Sequence, residues 1–408
     1  MIKRTIQNQI EYSLDHYPVV IITGPRQVGK STEVFKLTKS RGFTYVTLDN
    51  ISERKLAIED PDFFIQQHGV PLIIDEIQYS PILIEVIESI VNKKRLLDDN
   101  ANGMFVLTGS QTFNLMRNVT QSLAGRASIL QMLPLSQNEI LKREEKAFLP
   151  SFDLLKNEYK AIDVHDLFKN IVRGFYPQLY KDKEMDTHLF YANYINTYLD
   201  RDVSELIHLK DKLSFHNFLQ HLATLTSQQI NYSDIAKSVG VTHTTIKSWI
   251  SILETSGIIY LLQPYSEIKL SKRIVKNPKL YFCDTGLAAH LARVYDYENL
   301  LISNLAGAFM ETYVMNEIIK SYRNNGKVFN GYYYRDNNQN EIDLIIQENL
   351  KNHCIEIKKG CLFNESHVKS FKFLKESQYE FGISCIVCNT EKNYTLNRDV
   401  FVCNVNCI

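Results

Sequence analysis

The chain carries no surplus of charge: 46 lysines and arginines face 46 aspartates and glutamates over 408 residues, so the formal net charge is zero. That excludes a protein coated in positive charge that binds nucleic acid over its whole surface, while leaving room for a local basic patch. No apolar run approaches the roughly 18 residues of a membrane-spanning helix, so no membrane segment is expected. The opening residues Met1-Ile2-Lys3-Arg4-Thr5 lack the apolar stretch of a secretory signal. Cysteine is scarce, and the seven copies form an odd set with six after residue 350. For a chain of this size that is no disulfide framework, and reduced thiols in a cytoplasmic protein are expected. Tryptophan occurs once, yet apolar residues still make up 44% of the chain, too many for a disordered protein. At roughly 150 residues per domain the length points to two or three domains.

What is present begins with short apolar runs separated by helical stretches. Val19–Thr23, Tyr45–Leu48, Leu72–Ile74 and Met104–Thr108 read as buried strands, and their spacing predicts a parallel α/β sheet. Gly24-Pro25-Arg26-Gln27-Val28-Gly29-Lys30-Ser31 follows the first strand directly and fits G-x-x-x-x-G-K-[ST], with a helix predicted from Thr32 to Lys39. Glycines at these places let backbone N–H groups wrap phosphates. Lys30 is expected to reach the β- and γ-phosphates of ATP, and the Ser31 hydroxyl to ligate Mg²⁺.

The run Pro71-Leu72-Ile73-Ile74-Asp75-Glu76 ends a strand in two carboxylates, 45 positions after Lys30. Asp75 is the expected Mg²⁺ partner, and Glu76 the group that polarises the attacking water. The next strand ends in Thr108-Gly109-Ser110-Gln111, where Thr108, Ser110 or Gln111 could sense the γ-phosphate; an ordinary glycine turn is the alternative. Arg126, in Leu123-Ala124-Gly125-Arg126-Ala127, is a candidate arginine finger to a neighbouring copy, or else a salt-bridged surface residue.

Together with Leu133-Pro134-Leu135-Ser136, Gly174-Phe175-Tyr176-Pro177, Tyr198-Leu199-Asp200-Arg201-Asp202, Phe282–Leu287 and Glu341-Ile342-Asp343, these motifs resemble one family over nearly the whole chain. It is the bacterial and archaeal family of AAA-superfamily ATPases with an attached C-terminal domain of unassigned function. The resemblance implies ATP binding. In that context Arg201 is a candidate γ-phosphate sensor, with Asp200 and Asp202 as alternative partners.

Four segments are expected: a P-loop AAA-type domain over 1–140, a helical region over 141–226, a winged helix-turn-helix over 227–295, and an α/β restriction-endonuclease-like domain over 296–408. In the third, Ser233–Val239 forms a short helix, Gly240 turns the chain, and Thr242 caps the next helix. Ile246, Trp249, Ile250 and Leu253 should face inward, and Thr244, Thr245, Lys247 and Ser248 outward. The stretch Lys269–Lys279 then holds Lys269, Lys272, Arg273, Lys276 and Lys279 with no acid, a candidate phosphate-binding wing for DNA or RNA. In the fourth, Glu311, Asp343 and Glu356-x-Lys358 follow the order of a PD-(D/E)XK nuclease core, without its proline. Asp343 and Glu356 are candidate Mg²⁺ ligands, Lys358 a water-activating residue, and Glu311 an outer carboxylate. Cys385 and Cys388 have C-x-x-C spacing, but on a strand they would point to opposite faces, which argues for core thiols over zinc.

The leading expectation is therefore an ATPase that hydrolyses ATP to drive or gate its winged-helix and nuclease-like domains on nucleic acid, with a homo-oligomer as one candidate partner state. The alternative is an ATP-switched regulator of nucleic acid or protein with a catalytically silent C-terminal domain.

Overall fold

The computed structural model describes residues 2–98, 100–109, 123–156, 161–198, 212–265 and 277–408. Ser110, Gln111, Arg201 and the basic residues Lys269, Lys272, Arg273 and Lys276 lie outside the described residues.

Five strands open the chain: β1 (Val19–Thr23), β2 (Thr44–Thr47), β3 (Leu72–Asp75), β4 (Phe105–Gly109) and β5 (Ala127–Gln131). They form one sheet in the order β2-β3-β4-β1-β5, and every pairing is parallel. Four of these strands match the expected apolar runs; β5 was not foreseen. The sheet is covered on both sides, which is why β1 and β3 read as continuous apolar runs. Alternate residues divide between two cores: Val20 and Ile22 join one, Val19 and Ile21 the other. Each fully buried Val or Ile of this kind contributes about 1.5–3 kcal/mol relative to exposure. The predicted Thr32–Lys39 helix is two shorter ones, Lys30–Phe35 and Leu37–Ser40.

Helices Val164–Arg173, Pro177–Lys181, Thr187–Tyr194 and Lys212–Thr224 follow. Next come β6 (Gln228–Gln229), helices Tyr232–Val239 and His243–Thr255, β7 (Ile259–Leu262) and β8 (Lys279–Phe282). These three strands form an antiparallel sheet in the order β6-β8-β7. The local chemistry is as read from the sequence. Gly240 sits at φ 79°, Thr242 Oγ1 accepts the Thr245 N–H at 3.1 Å, and Ile246, Trp249, Ile250 and Leu253 are the buried face.

The long helix Ala306–Asn324 leads into β9 (Gly331–Arg335), β10 (Glu341–Glu348) and β11 (Lys351–Ile357), an antiparallel meander. A 3₁₀ segment, Glu365–Glu376, precedes β12 (Glu380–Phe381) and β13 (Ser384–Cys388). The chain closes with β14 (Tyr394–Thr395) and β15 (Val400–Asn404). β13 runs parallel to β11, and β15 parallel to β13. Cys385 packs in one core and Cys388 in another, on opposite faces of β13.

One apolar cluster runs from Val20 and Ile22 through Phe168, Trp249 and Tyr313 to Ile355 and Phe401. The four expected segments therefore share a continuous core. Buried polar contacts add to it: the Gln137 N–H donates to Glu317 Oε2 at 2.8 Å, and Asn138 Nδ2 to the carbonyl of Ile408 at 2.7 Å.

Candidate functional site

The loop after β1 curls because two positions require glycine. Gly24 sits at φ 136°, where a Cβ would lie 2.0 Å from the Met132 carbonyl oxygen. Gly29 sits at φ 97°, immediately before the helix Lys30–Phe35. Lys30 is only 6% exposed, and its Nζ donates to the carbonyls of Gly24 and Pro25, each at 2.8 Å. Burial pushes its pKa down to about 8, against the pull of Glu76 and Asp75.

Asp75, at the end of β3, gathers the neighbouring hydroxyls. Its Oδ1 accepts from Ser31 Oγ at 3.1 Å and from Thr108 Oγ1, while its Oδ2 accepts from the Tyr45 hydroxyl at 2.6 Å. Adjacent parallel strands β2, β3 and β4 bring these residues to one edge of the sheet. Glu76 adopts φ 60°, its N–H donates to Thr108 Oγ1 at 3.3 Å, and its carboxylate accepts from Gln78 Nε2. Ser31, Asp75, Glu76 and Thr108, read from separate motifs, thus come together. Tyr45 was read only as a strand residue. A tyrosine at the start of an expected strand of the same sheet is the available signal.

A cleft of about 1280 Å³ opens over this loop, lined by Arg26, Gln27, Val28, Gly29, Lys30, Ser31, Thr32 and Glu76. Its opposite wall comes from the helical region and includes Tyr180, Leu189, Tyr194 and Tyr198. The Arg26 guanidinium lies 5.5 Å from the Tyr198 ring centroid, tying the two walls together.

Arg126 does not join its own chain's cleft. The β1–β5 register pairs Val19 with Ala127, which sets Arg126 at the end of the sheet opposite the loop, roughly 16 Å away by strand rise. There it donates to Asn92 Oδ1 at 2.7 Å and pairs with Glu88 at 3.6 Å.

A second cleft, of about 480 Å³, lies where β8, the helix Ala306–Asn324 and β9–β11 meet. Its walls include Gln229, Lys279, Glu311, Glu341, Glu356 and Lys358. Asp343, Glu356, Lys358 and Glu311 do converge here, as their order suggested. Lys358 Nζ pairs with Glu356 Oε1 at 2.6 Å and Asp343 Oδ2 at 3.7 Å, and the Ile357 N–H donates to Asp343 Oδ2 at 2.8 Å.

Lys279 corrects an expectation. Counted with a solvated, phosphate-binding wing, it is instead 2% exposed. Its Nζ lies 2.9 Å from Glu311 Oε1, 2.6 Å from Glu341 Oε1 and 3.6 Å from Asp343 Oδ1. β8 delivers it to the carboxylates, so the residue belongs to the cleft. Tyr281, two positions on and on the same strand face, donates to Glu311 Oε1 at 2.6 Å. Lys-x-Tyr spacing, which puts both side chains on one face of a strand, is the sequence signal for both. Burial raises the Glu311 carboxyl to about 7, opposed by Lys279. Burial and the Asp343 charge raise Glu356 to about 8. Burial alone would lower the Lys279 pKa, but Glu311, Tyr281, Asp343 and Glu341 hold it well above the ordinary value.

Residues 16–141 match the family described as AAA domain. The N-terminal unit is an AAA-type P-loop domain. Beyond the AAA domain, residues 164–298 match a domain of unknown function (DUF8612), and residues 306–408 another (DUF4143). The chain is 24% identical over 364 residues to an uncharacterized protein of Mycobacterium tuberculosis, covering 88% of this chain and 74% of the relative. An uncharacterized protein of Methanocaldococcus jannaschii is 22% identical over 300 residues, covering 69% of this chain and 64% of the relative. Among solved structures, a Walker-type ATPase of Pyrococcus abyssi aligns with a TM-score of 0.39 at 14% identity, over 71% of this chain and 96% of that one. AMPPCP-bound DnaA from Aquifex aeolicus aligns at 0.29 and 14% identity, over 61% of this chain and 85% of that one. Among the described residues, no helix is long and apolar enough to cross a membrane.

Proposed function

We propose that this protein hydrolyses ATP in the AAA-domain cleft and uses the nucleotide state to drive or gate attached domains that act on nucleic acid. The observation that carries this reading is the meeting of Ser31, Asp75, Thr108 and Glu76 beside a curled glycine loop. Lys30 would leave the Gly24 and Pro25 carbonyls for the phosphates, which offer it full rather than partial negative charge. Mg²⁺ suits the donors present, since the Ser31 hydroxyl and the Asp75 carboxylate already meet at 3.1 Å. When bound there it would neutralise charge on the phosphates. Glu76 would orient and polarise the attacking water, and Thr108 would hold the Asp75 carboxylate and the Glu76 backbone in register. Tyr180, Tyr194 and Tyr198 line the wall of the helical region, where closure would exclude water.

A buried chain of contacts supports coupling. Arg4 donates to the Val28 carbonyl of the phosphate loop at 2.7 Å and to Glu139 Oε1 at 3.0 Å. Two residues before Glu139, Gln137 meets Glu317 on the helix that also carries Glu311.

The order helix, β6, helix, helix, β7, β8 supports a winged helix-turn-helix over about 212–282. The order helix, β9, β10, β11, 3₁₀ segment, β13, with Asp343, Glu356 and Lys358 on neighbouring strands, supports a nuclease-like domain. One observation favours the second reading, a catalytically silent C-terminal domain: a lysine already sits among its carboxylates. Turnover of ATP measured with and without DNA or RNA tests the proposal. We expect turnover that is lost in Glu76→Gln and altered by nucleic acid; no ATP binding at all would overturn it. Linear and circular DNA and RNA, supplied with Mg²⁺ or Mn²⁺, separate the two readings of the C-terminal domain. Cleavage lost in both Asp343→Ala and Lys358→Ala supports a nuclease, and uncut substrates support the silent domain. Arg126 acting across a subunit boundary predicts activity per chain that rises with concentration, and recovery when Arg126→Ala chains are mixed with Lys30→Ala chains. Full activity in Arg126→Ala would leave it as a structural partner of Glu88.

A further inference from the structure

We propose that Lys279 is the resident cation of the C-terminal cleft, occupying the place a divalent metal would take and closing the carboxylates to it. This rests on reading the domain as nuclease-like. A Mg²⁺ or Mn²⁺ ion needs several oxygen lone pairs aimed at one point at about 2.0–2.1 Å. In this cleft those lone pairs are aimed at ammonium hydrogens. Lys279 Nζ is shared by Glu311, Glu341 and Asp343, and Lys358 Nζ by Glu356 and Asp343. Arg335 takes the other oxygen of Glu341 at 3.4 Å. Three cations thus stand against four carboxylates, which removes most of the negative charge that would draw in a metal. Among the described residues, no group of three or more His, Cys, Asp or Glu side chains is arranged to hold a metal ion.

The cleft nevertheless keeps one mark of a cation site. Glu356 Oε2 is buried without a hydrogen-bond partner, on a residue only 7% exposed that lines the cleft. A buried carboxylate oxygen left unpaired costs free energy, and a proton or an incoming cation relieves it. Lys279 also arrives from a different part of the chain, at the start of β8, while the carboxylates lie on the helix Ala306–Asn324, β10 and β11. The carboxylate set is therefore complete without it, and its removal leaves four acids with space between them.

The test uses the full chain without nucleotide, in a Ser31→Ala background that silences the phosphate loop, with Mn²⁺ followed by electron paramagnetic resonance. The Lys279-containing protein should show no saturable site that depends on Asp343. Lys279→Met should gain about one tightly held Mn²⁺ per chain, lost again on adding Asp343→Asn. Mn²⁺ should also raise the melting temperature of Lys279→Met and leave that of the Lys279 protein unmoved. If Lys279→Met does not fold, Lys279→Met/Glu311→Gln, which removes one of the stranded charges, replaces it. Asp343-dependent Mn²⁺ binding with Lys279 in place would overturn the proposal and leave the nuclease-like reading standing. A folded Lys279 variant that binds no Mn²⁺ would overturn the proposal and the metal-dependent reading of the cleft together.

Discussion

The phosphate loop and the C-terminal cleft each bury a lysine close to carboxylates, yet the two lysines are held in opposite ways. Lys30 is hydrogen-bonded to two backbone carbonyls, and Asp75 nearby is served by three hydroxyls. Lys279 is hydrogen-bonded or ion-paired to three carboxylates. Burial lowers the Lys30 pKa to about 8 against the pull of Glu76 and Asp75, and its direct partners are neutral carbonyls, so a phosphate would supply the full negative charge it lacks. Carboxylates consume the Lys279 charge, so its pKa rises. The same residue types therefore leave a lysine with neutral partners in one place and a lysine matched by its own chain's carboxylates in the other.

Removing each lysine sharpens that contrast. Lys30→Ala should abolish detectable ATP binding, read with a fluorescent ATP analogue, while the fold survives, because only carbonyls lose a partner. Unchanged ATP affinity would break the comparison at its first member. Lys279→Met should instead cost stability, about 3–5 kcal/mol at pH 8 by urea unfolding, because buried carboxylates lose their cation. That loss should shrink in acid. Glu311 is raised to about 7 even with Lys279 pulling it down; losing that cation raises it further, so the variant gains more than the wild type from binding a proton in the folded state and recovers stability as pH falls through 7 towards 4.5. A loss independent of pH would contradict the assignment of the stranded charge.

A gentler probe is pH itself. Phosphate favours the charged Lys30, so ATP affinity should be level below about 8 and fall roughly tenfold per pH unit above it. Calorimetry in two buffers of different ionisation enthalpy would register the accompanying proton uptake. Affinity flat to pH 9.5 would mean that Lys30 stays charged in its carbonyl cradle. The smallest effect is expected for Tyr45→Phe, which removes one hydrogen bond to Asp75 and should lower stability by about 1 kcal/mol in thermal unfolding. A drop beyond about 3 kcal/mol would make the tyrosine part of the core support and not a carboxylate partner.

The nucleotide cleft was largely legible because its parts are local. The β1 run, the glycine loop and the Asp75-Glu76 strand end are each short stretches whose residue types are set by the chain's own backbone. The helix His243–Thr255 was legible for the same reason, since its cap and its buried face follow from spacing alone. β5 escaped because Ala127-Ser128-Ile129-Leu130-Gln131 is an edge strand with mixed exposure and no clear alternation. Lys279 reads as part of a basic wing because its neighbours in sequence are basic, while its neighbours in space come from residues 311, 341 and 343. Long-range ion pairing leaves no periodic trace. Arg126 has two readings in the sequence, and the pairing with Glu88 accounts for its position within one chain.

The central claim, that the AAA domain turns ATP over at the edge of β3, is tested most directly by Glu76→Gln under saturating Mg²⁺–ATP, with binding and phosphate release measured on the same protein. Because Lys30, Ser31 and Asp75 are untouched, binding should match the wild type, while turnover should fall by about 10²–10⁴ as the water loses its base. Equal turnover in the variant and the wild type would contradict the account.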